Sequence, residues 1–198
     1  MRRIIVFEHM SADGYFTSQD GTLAWTVPDE ELDRMGAGGT GGADMILFGR
    51  RTYDMFESFW PKVVSDAPTA PDPHAEGRAT AEARAIGEWI NAATKWVFSR
   101  TRKEVSWNNS HLRREIDARE IEGLKRSPGK DIMIFGSGSV VSRLTELGLV
   151  DAYDLIVAPV LLGRGRPLID GLFSSHRLKL AEARPFRSGN VLLHYERS

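Results

Sequence analysis

A chain of 198 residues is long enough for one large domain or two small ones, and its 41% apolar and 27% charged residues suit a globular protein with a buried core. With 26 basic against 27 acidic residues the net charge is −1, which argues against a nucleic-acid binder working through bulk charge. There is no cysteine, which excludes disulfides, thiolate zinc sites and cysteine nucleophiles; the histidines at 9, 74, 111, 176 and 194 show no helical ligand spacing, so no metal site is expected.

Met1-Arg2-Arg3 precedes only the apolar run Ile4 to Phe7 before Glu8 and His9, too short for a signal-peptide core. Nothing else approaches a membrane span, so the expected location is the cytoplasm and no membrane partner is expected. Ile4 to Phe7 is predicted as a buried strand ending near His9-Met10. Ser11-Ala12-Asp13-Gly14-Tyr15 follows as a turn, with Asp and Gly supplying the unusual backbone angles. Pro28-Asp29-Glu30-Glu31 has the form of a helix start, with proline early and acids at the positive end of the helix dipole, and the helix is predicted to run through Met35. The glycine-rich stretch Gly36 to Gly42 reads as a flexible connection. Met45 to Phe48 is a second buried strand, followed by a helix from about Arg51 to Phe59.

Lys62 to Gly77, with Pro68, Pro71 and Pro73, reads as a surface loop. Ala79 to Ala93 is predicted as a helix, Lys95 to Ser99 as a third strand, His111 to Glu115 as a short strand, and Asp117 to Arg126 as a charged helix. Ile132 to Phe135 is an apolar run of the kind buried on both faces. Gly136-Ser137-Gly138 and a helix over Val140 to Leu147 come directly after it. Ala152 to Val160 reads as a further strand. Leu178 to Ala183 and Val191 to Glu196 form an antiparallel hairpin around Ser188-Gly189-Asn190. The pattern predicts one α/β domain over residues 1–198, with parallel pairing in front and antiparallel pairing at the end.

Three predicted strands end in the same kind of chemistry. Phe48 leads to Gly49-Arg50-Arg51-Thr52, Phe98 to Ser99-Arg100-Thr101-Arg102, and Phe135 to Gly136-Ser137-Gly138-Ser139. In an open parallel sheet, ligands sit beyond the carboxyl ends of the strands. Glycine turns, hydroxyls and helix N-termini converging there suit a molecule with several phosphates, and Arg50, Arg51, Arg100 and Arg102 could add bidentate contacts. Singly, each glycine turn serves equally well as plain turn chemistry and each arginine as a solvated charge.

These stretches, with SADGYF after the first strand, LAWTVPDEEL, ILFGRRTYDMF, KWVFSRT, DIMIFGSGSVVSRL and VDAYDLIVAPVLLGRGRPLI, resemble the dihydrofolate reductase superfamily over nearly the whole chain. The branch most similar is that of the reductase domain of riboflavin biosynthesis, the RibD C-terminal domain, here as a stand-alone member. The resemblance implies a three-layer fold with a mixed, mostly parallel sheet of about eight strands and a C-terminal antiparallel hairpin. It also implies NADPH as hydride donor. On that basis Gly49, Arg50, Arg51 and Thr52 lie along the phosphates, Ser99, Arg100 and Thr101 hold the 2′-phosphate end, and Gly136, Ser137, Gly138, Ser139 and Val140 cradle the pyrophosphate. The peptide between 136 and 137 is expected to be cis, as in the family, and Phe7 to Met10, with His9, lies beside nicotinamide and substrate.

On the substrate side the same alignment places Glu30 at the acidic position of dihydrofolate reductases, where a carboxyl could assist protonation of a C=N bond during hydride delivery. Its plainer role is a first-turn helix acid. Asp13 is the other catalytic candidate, because the S-x-D-G turn borders the substrate in riboflavin-type domains; its plainer role is an Asx turn. Trp25 is read as pocket wall or as core. The threonine that supports the acid in folate-type enzymes is replaced within Leu155-Ile156-Val157, and no counterpart of the folate-tail arginine is found. The zinc deaminase ligands of full riboflavin-pathway enzymes are also absent. The expected activity is therefore NADPH-dependent reduction of a C=N or C=O bond in a small heterocycle. A true dihydrofolate reductase and a non-catalytic NADP-binding protein are the alternatives, and a homodimer is expected because riboflavin-type domains pair.

Overall fold

The structure is a computed structural model that describes residues 1–65 and 80–198. In chain order these residues form β1 (Ile4–Ser11), β2 (Tyr15–Ser18), α1 (Glu30–Gly39), β3 (Ala43–Gly49), α2 (Arg50–Val64), α3 (Ala81–Ala92), β4 (Thr94–Phe98) and β5 (Ser110–Arg113). Then come α4 (Ala118–Arg126), β6 (Asp131–Phe135), α5 (Gly138–Glu146), β7 (Ala152–Ala158), β8 (Gly165–Pro167), β9 (Leu178–Pro185) and β10 (Val191–Arg197). Eight strands make one sheet in the order β5-β4-β3-β6-β1-β7-β10-β9. Pairing is parallel from β5 to β7, and β10 runs antiparallel to both β7 and β9.

The alternation of each strand decides what covers it. On one face Ile4, Val6, Met45, Leu47, Ile132 and Ile134 pack with Val140, Val141 and Leu144 of α5 and Ile121 of α4. On the other face Ile46, Phe48 and Val97 pack with Tyr53 and Phe56 of α2 and Ile90 of α3. Leu32 of α1 covers Ile156, Phe186 and Leu192 farther along that second face. The result is the expected three layers, with β6 inserted between β3 and β1. That insertion brings the carboxyl ends of β3, β6 and β1 side by side.

Four features differ from the sequence expectation. The glycine stretch is no flexible connection: α1 continues to Gly39 and a 3-10 turn spans Thr40–Gly42. Two contacts favour helix there over the entropy of glycine. Gly36 presents a bare backbone to α3, where a Cβ would meet Ile86 Cδ1 at 3.6 Å, and Thr40 Oγ1 donates to the Ala37 carbonyl at 2.8 Å. Second, α2 runs past Phe59 and through Pro61 to Val64, so Lys62 to Val64 are helical. Proline removes one helical hydrogen bond, but Gly87 of α3 lets Trp60, Val63 and Val64 pack close, at 3.1–3.6 Å from where a Cβ would stand. The expected loop beyond Ser65, with Pro68, Pro71 and Pro73, lies outside the described residues, as do His74 and the first residue of the Ala79 helix. Third, β2 and β8 pair as a small antiparallel ribbon of their own. Fourth, the peptide between Gly136 and Ser137 is trans. The chain turns instead through two consecutive left-handed residues, Gly136 at φ +51° and Ser137 at φ +56°.

Candidate active site

The left-handed pair ends β6 abruptly and starts α5 directly, and two hydroxyls fix it. Ser137 Oγ accepts from the Gly49 N–H at 2.9 Å, joining the end of β3 to the turn. Thr52 Oγ1, in the first turn of α2, accepts from the Ser137 N–H at 2.9 Å. Ser137 is 6% exposed, so both bonds are shielded from water. Gly136 is fitted closely: a Cβ there would stand 2.8 Å from Thr52 Oγ1. Gly138 is fitted too, with the Leu168 carbonyl 2.9 Å and the Phe16 ring 3.3 Å from where a Cβ would be.

Neither Gly49 before α2 nor Ser137 before α5 caps its helix with a side chain. The Ser137 carbonyl receives the N–H groups of Val140 and Val141, at 2.7 and 3.0 Å. The N–H groups of Gly138 and Ser139 are left without a backbone acceptor among the described residues. Two helix N-termini therefore open at one place, each offering amides and the positive end of a dipole.

They open into a cleft of about 1410 Å³ that reaches across the sheet face toward α1 and α3. Gly49, Arg50, Arg51, Thr52, Ser99, Arg100, Thr101, Gly136, Ser137, Gly138 and Ser139 all line it. Val140 is 2% exposed and packs in the core below. Arg143 and Arg166, which the sequence reading passed over, add two more cations. Arg102 has other work. Its guanidinium pairs with Asp54 and, at 2.7 Å, with Glu57 Oε2, and it lies over the Tyr53 ring at 4.7 Å. Ser99 Oγ accepts from Arg102 N at 2.9 Å, and Arg114 donates to the Arg102 carbonyl at 2.6 Å. Arg102, Ser99 and Arg114 thus shape the loop that presents Arg100.

The remaining candidates divide. His9 lines the cleft. Glu30, Asp13 and Trp25 do not. Glu30 is exposed in the first turn of α1, whose N-cap is Asp29, accepting from the Glu31 and Leu32 N–H groups at 2.8 and 2.9 Å. Asp13 is a latch: it accepts from Ser11 Oγ at 2.6 Å and from the Leu162 and Gly163 N–H groups at 3.1 and 2.6 Å. The Ser11 hydroxyl and those amides hold the Asp13 carboxyl below its ordinary range. Trp25 is half-buried beside the cleft, and its Nε1 has no hydrogen-bond partner among the described residues.

Three ionisable residues in the cleft went unnoticed in sequence. Asp154 and His194 are register partners on β7 and β10, and Asp154 is paired with Phe7 on β1. His194 Nδ1 hydrogen-bonds Asp154 Oδ1, which orients the ring and leaves Nε2 at 4.0 Å from Glu196 Oε1. The two residues are 40 apart in sequence, and only the strand register reveals the pair. The third is Glu8, 6% exposed in the middle of β1. Its Oε1 accepts from the His9 N–H at 2.9 Å, and Oε2 has no hydrogen-bond partner among the described residues. Burial pushes its carboxyl up to about 8, against the smaller opposing pull of the His9 and Gly136 amides. Among the described residues no cluster of three His, Asp or Glu is placed to hold a metal, and no helix is long and apolar enough to cross a membrane.

Residues 2–192 match the family described as the RibD C-terminal domain. This chain belongs to that family. It is a family of reductases with a dihydrofolate reductase-like fold. The YyaP protein of Bacillus subtilis (strain 168) is 31% identical over 194 residues, covering 98% of this chain and 94% of YyaP. Among solved structures, a candidate riboflavin biosynthesis protein from Shewanella sp. PV-4 superposes with a TM-score of 0.73 at 23% identity, over 99% of both chains. A pyrimidine reductase-like protein from Corynebacterium diphtheriae gives 0.64 at 15% identity, over all of this chain and 92% of that one. At those identities the two structures show the RibD C-terminal fold and its dihydrofolate reductase-like sheet.

Proposed function

We propose that this RibD C-terminal family member is an NADPH-dependent reductase that delivers a hydride to a C=N or C=O bond of a small, flat heterocyclic substrate. The observation that carries the reading is the paired helix start: two N-termini locked together by Ser137 and Thr52, with free amides and flanking arginines. That arrangement fits a dinucleotide. Gly136 and Gly138 leave no room for a Cβ because Thr52, Leu168 and Phe16 pack against the turn and hold it in place, and the amides that follow it, with no backbone acceptor among the described residues, suit a phosphate.

Gly49 to Thr52 and Gly136 to Ser139 would hold the pyrophosphate, and Ser99, Arg100 and Thr101 the 2′-phosphate end. Guanidinium groups suit that phosphate because they bind it in a bidentate fashion. When bound, NADPH supplies the hydride, and the protein supplies position and electrostatics. The substrate ring would rest against Phe7 and Phe135, whose rings meet edge to face at 5.9 Å. Hydride addition leaves a negative nitrogen or oxygen that needs a proton. His194, oriented through Nδ1 by Asp154, is the donor this geometry favours: as the imidazolium it would give up the Nε2 proton and keep the Nδ1–H on Asp154. The exposed position of Glu30 counts against folate-type chemistry. The name of the Corynebacterium structure supports a pyrimidine-like substrate. The same reading includes a cytoplasmic location and pairing with a second copy of the chain.

Fluorescence titration with NADPH and NADH tests the cofactor. Micromolar NADPH binding, with NADH much weaker, is the expected result. An Arg51→Ala/Arg100→Ala double variant should lose roughly 2–4 kcal/mol of NADPH affinity, the worth of a pair of charge-assisted contacts. Equal affinity for both nucleotides would remove the 2′-phosphate assignment, and binding of neither would remove the dinucleotide reading altogether.

A further inference from the structure

Glu8 takes no part in the chemistry above, yet it is the most unusual group in the cleft. A carboxyl buried to this degree is costly to keep, because the charged form has lost its water and the His9 and Gly136 amides offset that only in part. Its position is specific. Glu8 Oε2 stands 3.6 Å from where a Gly136 Cβ would be, on the side of the turn where Thr52 also packs. It therefore sits against Gly136, at the start of the turn whose following amides open into the cleft. The charged and titratable groups that the surrounding elements bring to the cleft include His9 on β1, Asp131 on β6, Asp154 on β7, Arg50 and Arg51 on α2, and Arg143 and Glu146 on α5. None of these side chains sets its proton affinity, which follows from burial and two backbone amides.

We propose that Glu8 is a positioning residue that makes ligand binding at the glycine turn depend on a proton. In its neutral form it backs the Gly136-Ser137-Gly138 turn without charge. Ionised, it places a negative charge against the turn whose amides receive phosphate, and the field of those amides no longer favours an anion. By linkage, a phosphate-bearing ligand holds the Glu8 proton in place, and at alkaline pH binding takes a proton up from solution. The proposal rests on the reading of this cleft as a dinucleotide site, but it concerns anions generally, which separates its test from the test of that reading.

The full chain, wild type and Glu8→Gln, would be titrated with NADPH and, separately, with inorganic diphosphate between pH 7 and pH 9.5. The neutral amide of Gln stands in for the neutral acid. Wild-type affinity for both ligands is expected to fall on the order of tenfold as pH rises through about 8, whereas Glu8→Gln stays flat near the wild-type value at pH 7. Calorimetry of the wild type at pH 8.5, in two buffers of different ionisation enthalpy, should report proton uptake on binding, and needs no variant to fold. A flat wild-type profile, an equal slope in Glu8→Gln, or no proton uptake overturns the proposal. Proton-linked diphosphate binding without NADPH binding would sustain Glu8's role and remove the cofactor reading. Binding of neither ligand at any pH would overturn both.

Discussion

Glu8 also ties the stability of the fold to pH, independently of any ligand. Its ordinary value of 4.5 applies to the unfolded chain, and burial raises it to about 8 in the fold. Below pH 4.5 both states hold the proton and nothing is lost. Between 4.5 and 8 only the folded state holds it, so unfolding releases a proton and stability falls as pH rises. Above 8 the full penalty stands. Glu8→Gln should therefore melt like the wild type near pH 4.5 but be roughly 2–5 kcal/mol more stable at pH 9, judged by thermal melts across that range. Identical pH profiles for the two proteins would mean that Glu8 ionises freely. Gly136 gives a second prediction at this scale. Gly136→Ala combines a left-handed backbone with a collision against Thr52 Oγ1, which cannot swing away without releasing the Ser137 N–H. A loss of about 2–3 kcal/mol in denaturant unfolding, with nucleotide binding abolished, is expected. An alanine variant that keeps both would show that the turn tolerates a side chain.

Among the elements, the loop after β4 is held from behind. Arg102→Ala removes its pairs with Asp54 and Glu57, and stability should fall by about 1–3 kcal/mol. Because Arg102 shapes the loop that carries Arg100, NADPH affinity should fall more than NADH affinity, although Arg102 itself is turned away from the cleft. A uniform loss for the two nucleotides in parallel titrations would place Arg102 outside the specificity of the site. The elements also show what could be read from the chain alone. The central strands are legible because both faces are buried, which writes Ile132 to Phe135 or Met45 to Phe48 as unbroken apolar runs. The glycine-turn side of the cleft is legible for a related reason: turn chemistry and helix starts are local. The glycines from Gly36 to Gly42 mislead because their helical state depends on packing against Ile86, fifty residues away. The ribbon of β2 and β8 is too short to show alternation. Glu8 is a lone acid inside the first strand, and neither its burial nor the His194–Asp154 pair exists until the sheet assembles.

For the molecule as a whole, β9 is the conspicuous loose end. Among the described residues it lies at the edge of the sheet, pairs only with β10, and exposes nearly every side chain, with Leu178 at 38% and Leu180 at 49%. An exposed apolar edge strand is a surface that proteins ordinarily cover. If two copies pair through it, Leu178→Asp/Leu180→Asp should shift sedimentation to the monomer and leave the melting temperature at low concentration unchanged. A wild type that sediments as a monomer at every concentration would dispose of the pairing. The hydroxyl bonds at the glycine turn have a consequence of a different kind. They join segments 88 and 85 residues apart, so the carboxyl ends of β3 and β6 cannot open one without the other. The amide protons of Gly49 and Ser137 should then exchange with deuterium at one shared, slow rate set by global unfolding, whereas those of Gly138 and Ser139, one or two residues on, exchange quickly.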